Sequence, residues 1–489
     1  MSKPKEVLLN LREQFGLKSS FLLLLALLCF AFGLAKEWYA LVLVPFLPFI
    51  FYLFFYQPYY LFMGVAFLVP LSIDVDIEGL GAGISLPTEP ILIGLTVLMI
   101  FRFFYDLDWK DKRFTHPLSI IIALQLLWMF ITVFTSTMFI VSLKSFLAQL
   151  WFTVGAYYMG LFYFDKIANI KRVFCFMFVP LAFVVIYALV NHQQYFFSLE
   201  SSSRVVKPFF IDHTIYGVYL ALMLPLILVM VFARNTFKLN NLEVTGLLVV
   251  LFILVVGTVF SYTRAAWLSL ICSFGFWLLM LIRIRLRFIV LGIALIASLF
   301  VYFSAEIGVF LSRNKHTSSS GFEQHLKSMY NVSTDASNTE RINRWTSAIR
   351  MAQDKPVFGF GPGTYMFQYA PYQLSSELTI ISTHTGSVGN AHSEYFTALS
   401  ERGWPGLILF SIFVLYFFHR GMHLYYKAEN PQVRYLALAC VLSLVSYFTH
   451  GFINNFLDTD KASIPVWMLL SIIVALDIFH HPKPKKIAS

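Results

Sequence analysis

The sequence predicts an all-α polytopic membrane protein, and three observations carry that prediction. Hydrophobic residues make up 58% of the 489 residues and charged residues only 13%. A soluble chain needs roughly 25% charge to cover its surface. The mean hydropathy is +0.72, and apolar runs of about 20 residues, the length of a membrane span, recur along most of the chain. The same composition excludes a soluble multidomain protein, a disordered chain, collagen and a coiled coil.

Twelve to fourteen spans are expected, their centres read from the apolar runs at 20–35, 38–56, 58–73, 90–105, 117–134, 145–164, 173–190, 214–233, 245–262, 266–282, 288–304, 404–419, 435–453 and 463–480. The first follows Lys3, Lys5, Arg12 and Lys18 in the manner of a signal peptide, but it reads equally as the first span of a multi-span protein. Orientation follows from the basic residues, which favour the cytoplasmic side of short loops. With the N-terminus inside, 22 Lys and Arg fall on the inner side and 7 on short outer segments, with 7 more in one long outer loop. Both termini are then cytoplasmic. This asymmetry accounts for the net charge of +10 without a nucleic-acid partner. Cys29, Cys175, Cys272 and Cys440 all lie in apolar runs and read as buried small hydrophobes, not as a disulfide or zinc framework.

Four regions follow: N-terminal spans over 1–200, spans over 201–304, a long polar loop over 305–391, and C-terminal spans over 392–489. The loop is far longer than a passive connector, and its stretch ERINRWTSAIRMAQ (340–353) has helical patterning. A second outer segment, 191–213, carries Arg204, Lys207, Asp212 and His213.

Several residues could carry chemistry. Arg264, in SYTRAAWL, lies between two apolar runs at the outer mouth of a tight helical hairpin. It reads either as an interfacial side chain or as an anion site, since a guanidinium grips phosphate oxygens bidentately. His392, in NAHSEY, is expected in the first turn of the helix that follows the loop, where it could move a proton or simply cap the helix. Arg341 and Arg344 lie about a turn apart on the loop helix and could share one ligand or face water. GFGPG (359–363) reads as a tight turn, since it lacks the Lys-Ser/Thr of a phosphate loop. Asp74/Asp76 and Asp458/Asp460 form outer Asp-x-Asp triplets, which could hold a divalent metal.

Together these pieces resemble the bacterial O-antigen ligases and the related O-antigen polymerases. The pattern R-x3-L is met by Arg264 through Leu268. The pattern H-[NSQ]-x9-G-x-x-G is met by His392, Ser393, Gly403 and Gly406. GFGPGTY (359–365), RVVKPFFIDHTIYG (204–217) and the long loop between the two motifs are also similar, so the likeness covers roughly 200–480. The resemblance implies an inverting, metal-independent glycosyltransferase of C type, without cofactor, in the bacterial inner membrane with its active site on the periplasmic face. Its donor would be a glycan on undecaprenyl diphosphate, and its acceptor a lipid A–core sugar hydroxyl. In that chemistry His392 would be catalytic and Arg264, Arg341 and Arg344 would hold the diphosphate. Arg204, His213 and Glu394 would line the substrate region, with Glu394 or Glu401 able to orient the imidazole. Membrane lipid is the surrounding partner, and no protein partner is legible. Alternatives remain a polymerase, a ligase that glycosylates protein, a polysaccharide transporter, and a metal-dependent transferase built on Asp74/Asp76.

Overall fold

The computed structural model describes residues 47–77, 82–105, 110–303, 336–375, 378, 382 and 389–480. The predicted span 20–35, residues 38–46 of the next, both chain termini and the first part of the long loop lie outside these residues. The chain divides into two compact units, Met1–Leu61 and Phe62–Ser489. In the first, the described helix is Leu47–Tyr56.

Among the described residues the regular structure of the second unit is helical apart from one hairpin, β1 (Ile73–Ile77) and β2 (Ala82–Leu86), antiparallel with Val75 opposite Ile84. Then come α1 (Thr88–Tyr105), α2 (Pro117–Phe134), α3 (Phe139–Tyr163), α4 (Ile167–Gln193), α5 (His213–Phe232), α6 (Asn241–Phe260) and α7 (Arg264–Leu281). These seven and the three C-terminal helices α10 (Glu394–Lys427), α11 (Pro431–Ile453) and α12 (Asp460–Phe479) make ten described helices long and apolar enough to cross a membrane. The predicted spans 58–73 and 288–304 correspond to the shorter apolar helices Pro58–Leu68 and α8 (Leu286–Tyr302). In the loop, α9 (Ala336–Asp354) is the helix that the sequence pattern marks.

A helix that is apolar all round must be buried in protein or in lipid. Both cases occur. α5, α11 and α12 are mostly buried and form the centre, whereas α6 and α7 expose Leu248, Phe252, Ile271, Phe274 and Leu278. Apolar surface of this extent is suited to lipid, not water. Small polar residues join α7 to α11: Ser269 and Ser446 hydroxyls are 2.9 Å apart, and Ser273 donates to the Leu442 carbonyl at 2.8 Å. Where lipid removes the hydrophobic drive between helices, such contacts supply the attraction.

Contacts between connections sort into two ends. At one, Lys461 donates to the Ser72 carbonyl, Thr137 N–H to Phe360, the Tyr262 hydroxyl to Phe197, and Phe456 N–H to Glu394. At the other, Asp477 accepts from Arg420 and pairs with His116, and Lys171 donates to Phe237. This is the alternation that successive spans require. The described part of the long loop has its own small core of Ala348, Met351, Phe360, Tyr365, Tyr369 and Ala391.

Candidate functional site

The sequence-predicted residues lie at the first of these ends. Each is positioned by a local feature of the chain. His392 lies before α10, not in its first turn: the helix begins at Glu394, Ser393 is its N-cap, and its side chain accepts from the Phe396 N–H. His392 itself has φ 48. The reason is the competing Asx turn, in which Asn390 accepts from the His392 N–H at 3.1 Å and bends the backbone away from the helix. The cap falls on the residue with a hydroxyl.

The first motif glycine and the loop turn are one construction. α10 has 34 residues, about 50 Å at 1.5 Å per residue and well beyond the membrane core. It breaks at Gly403 (φ 67, ψ −172). A Cβ there would lie 2.1 Å from the Val357 carbonyl oxygen, and Trp404 N–H donates to Pro356 at 2.9 Å. The break lets the loop sit directly on the helix backbone. Phe360 N–H donates to Ser400 and Gly361 N–H to Glu401, while the Glu401 carboxylate accepts from the Gly363 and Tyr365 N–H groups. The Phe360, Gly361 and Gly363 amides are thus spent on α10 and the Gly359 amide on the Lys355 carbonyl, which makes this segment a docking turn and not a phosphate cradle.

α9 turns one face toward the histidine. Arg344 donates through Nε to Glu340 at 2.8 Å and through Nη1 to the Asn390 carbonyl at 2.9 Å, and its guanidinium lies 5.2 Å over the Tyr369 ring. It packs against the backbone of Gly389, where a Cβ would meet Nη1 at 1.9 Å. Trp345 donates to the His392 carbonyl at 3.3 Å. Arg341, on the same face, acts electrostatically on both His392 and His450. The His392 imidazole is pushed down to about 4, by burial first and then by Arg344 and Arg341, against the opposing pull of Asn454 and Glu340. It is therefore neutral at ordinary pH and can accept a proton.

Arg264 is the first residue of α7, after the turn Ser261–Thr263. Its guanidinium and the helix N-terminus place positive charge in one place. Thr263 fastens this turn to α5 by donating to the His213 carbonyl at 2.8 Å, and Gly217 leaves the room, since a Cβ there would meet Thr263 Oγ1 at 2.5 Å. His213 pairs with Ser203 at 2.6 Å, and Arg204 lies 5.7 Å over the Tyr195 ring. The Ser269–Ser446 contact sets α7 beside α11, so Arg264 and the last turn of α11 lie at the same end.

Glu394 does not turn to the imidazole. Its Oε1 accepts from the Tyr447 hydroxyl at 2.8 Å and from the N–H groups of Phe456 and Leu457 at 2.8 and 2.9 Å. Asp460 accepts from Thr88 at 2.7 Å and from Ser72, beside Lys461, and Asp74 accepts from Ser85. Among the described residues no three His, Cys, Asp or Glu side chains group as a metal site. The residues that sequence reasoning missed are Glu340, His450 and Asn454. Only the polar letters of HGFINNF (450–456), inside an otherwise apolar stretch, could have marked the last two.

Residues 247–411 match the family model described as O-antigen ligase. The chain carries an O-antigen ligase domain. This domain includes Arg264, α9, the docking turn, His392 and both motif glycines, and it brings O-antigen ligase- or polymerase-type function in general. No curated protein matches the chain.

Proposed function

We propose that the protein transfers a glycan from undecaprenyl diphosphate to a sugar hydroxyl of lipid A–core, at the periplasmic face of the bacterial inner membrane. The observation that carries this reading is a neutral imidazole beside a cationic helix face, inside the O-antigen ligase domain. The excess of basic residues on the opposite end supports the orientation.

The acceptor hydroxyl is too weak an acid to react unaided. His392 takes its proton as the oxygen attacks the anomeric carbon. The bond from that carbon to the diphosphate oxygen breaks, its electron pair leaves with the lipid diphosphate, and the configuration inverts. The developing charge must be neutralised. Arg264, with the N-terminus of α7, supplies positive charge at the membrane surface, and Arg341 supplies it from the loop. Arg344 braces the backbone before His392 through Asn390 and adds its field. Arg204 and His213 border the entrance beside α5, and no metal has a step in this scheme.

The test is gel analysis of surface glycans in cells lacking the gene and carrying wild type, His392→Ala or Arg264→Ala at equal expression. Bare core with persisting lipid-linked polymer supports the ligase. Single repeat units on the core in each defective strain point to a polymerase. Wild-type glycans in both mutants refute the assignment of these residues.

A further inference from the structure

A polar atom buried in a protein is normally hydrogen-bonded, and a group of such atoms without partners marks a place where something else can bind. The end of α11 is such a place. His450, Asn454 and Asn455 are 0%, 3% and 6% exposed. Among the described residues, both ring nitrogens of His450, the Asn454 Nδ2 and the Asn455 Oδ1 have no hydrogen-bond partner. Other buried groups at the same end are spent. Glu394 accepts from Tyr447, Phe456 and Leu457, and Lys461 donates to the Val69 and Ser72 carbonyls. The scheme above gives His450, Asn454 and Asn455 no step.

Packing ties this turn to the His392 segment. Asn454 caps α11 in an extended conformation (φ −146, ψ 158), and its N–H donates to the His450 carbonyl at 3.0 Å, which holds the end of the helix together. Gly451, next to His450, lets Glu394 come close, since a Cβ there would lie 3.1 Å from Glu394 Cγ. Glu394 stands two residues after His392 and accepts from the Phe456 and Leu457 N–H groups at 2.8 and 2.9 Å. From the loop side, Trp345 donates to the His392 carbonyl at 3.3 Å and sets its ring 5.3 Å from that of Phe452. Tyr395 and Phe396 join Phe452 at 5.9 and 6.2 Å. Aromatic walls with a few polar groups are the usual lining of a small-ligand site.

We propose that the end of α11 is a subsite for sugar hydroxyls, with His450, Asn454 and Asn455 as its hydrogen-bonding residues. The chemistry of the atoms selects this ligand. A neutral imidazole offers one donor and one acceptor, the Asn454 Nδ2 offers donors, and the Asn455 Oδ1 offers an acceptor. A hydroxyl both donates and accepts, so neighbouring hydroxyls on a sugar match a mixed set. Turning either amide over leaves the set mixed. A phosphate only accepts, and here it would meet lone pairs as well as donors. A metal ion would need charged oxygen or several nitrogen ligands, and among the described residues no three His, Cys, Asp or Glu side chains group together. His450 is fully buried, so the sugar reaches it as α9 lifts Trp345 from Phe452, and the loop then closes over the sugar.

This inference rests on the proposed function for the identity of the sugars, and the experiment separates the two. Full-length protein in nanodiscs is titrated with polyprenyl-diphosphate-linked glycan and, separately, with lipid A–core, both extracted from the gene-deleted host. Binding is read from the rise in Tm, which needs no turnover, and transfer is assayed alongside. Wild type, His392→Ala, His450→Phe, His450→Gln and Asn455→Ala are compared. His450→Phe fills the space without hydrogen bonds. It should leave the ligand-free Tm unchanged or higher, since no partner within the protein is lost, and should weaken one of the two ligands about 10- to 100-fold. His450→Gln keeps a donor and an acceptor and should recover much of that affinity. Asn455→Ala should weaken the same ligand, and it carries the test if His450→Phe fails to fold. The ligand affected shows whether the donor glycan or the acceptor sugar occupies the subsite. Wild-type affinity for both ligands in these variants overturns the subsite, whatever the ligand-free Tm does, and so does a wild type that binds neither ligand. If His392→Ala transfers at the wild-type rate, or wild type transfers nothing, the proposed function fails while the binding result still decides the subsite.

Discussion

Replacing Gly403 with alanine should undock the long loop from α10. At φ 67 and ψ −172 the backbone occupies a region essentially reserved for glycine, and a side chain there costs of order 1–3 kcal/mol. The added Cβ would also sit 2.1 Å from the Val357 carbonyl oxygen and 2.6 Å from that of Pro356, both main-chain atoms without a rotamer to escape into. The loop must retreat, and the Trp404 to Pro356 hydrogen bond goes with it. The lost hydrogen bond is worth about 0.5–1.5 kcal/mol more. A total near 3 kcal/mol raises the undocked population roughly a hundredfold. Hydrogen exchange of full-length protein reads that population directly, in peptides spanning Lys355–Tyr372. Exchange there should accelerate by about that factor, and transfer should fall because the docked loop braces His392. Gly275→Ala is the control. It lies in α7 with nothing near its Cβ position, and it should leave the loop unchanged while favouring the helix by about 0.5–1 kcal/mol. Unaltered exchange in Gly403→Ala would refute the docking argument.

Other outcomes follow from the same geometry. The transfer rate of wild type should persist as pH falls through the ordinary histidine range and drop only near pH 4, where the His392 imidazole takes its proton; an acid limb at the usual histidine position would contradict this. The same shift makes protonation oppose folding, so His392 lowers stability as pH falls from its unfolded value of about 6.5 toward 4, and His392→Asn should flatten that part of a stability–pH curve. Glu340→Gln strands the buried Arg344 guanidinium and should cost about 3–5 kcal/mol in thermal unfolding, while Glu340→Gln with Arg344→Met should recover part of the loss. Arg264→Lys keeps the charge but not the fork, and should lower transfer by about tenfold, with Arg264→Ala lower still. Equal rates for Lys and Arg at 264 would argue for a simple point charge.

The spans were legible because lipid imposes length and apolarity on each segment separately, so a single sequence carries the signal. Arg264 and His392 were legible as motifs, and the structure supplies reasons for the spacing. Gly403 breaks the helix, and the nine residues before it hold Ser400 and Glu401 against the docking turn. The start of α10 was misplaced by two residues, since the pattern of NAHSEY does not reveal that Asn390 closes a turn on the His392 N–H and that Ser393 takes the cap. The β-hairpin was missed although Ile73–Ile77 alternates apolar and acidic residues, because so short a run is also an ordinary loop. Glu340 was not legible at all. Its partner lies 4 residues away, and nothing local distinguishes a surface helix glutamate from one buried against an arginine.

The docking turn has one further consequence. Three of the hydrogen bonds that fix the long loop to α10 run from main chain to main chain, through Phe360, Gly361 and Trp404, and a fourth ties Phe360 to Thr137. Such a seam specifies geometry but little about side-chain identity, apart from the glycines that permit the approach. The loop side chains that face away from this seam and from the α9 face around Arg344 and Trp345 are therefore free to vary without moving His392. A scaffold joined in this way can be retargeted: the recognition surface can be rewritten by exchange of loop side chains while the machinery beneath keeps its register.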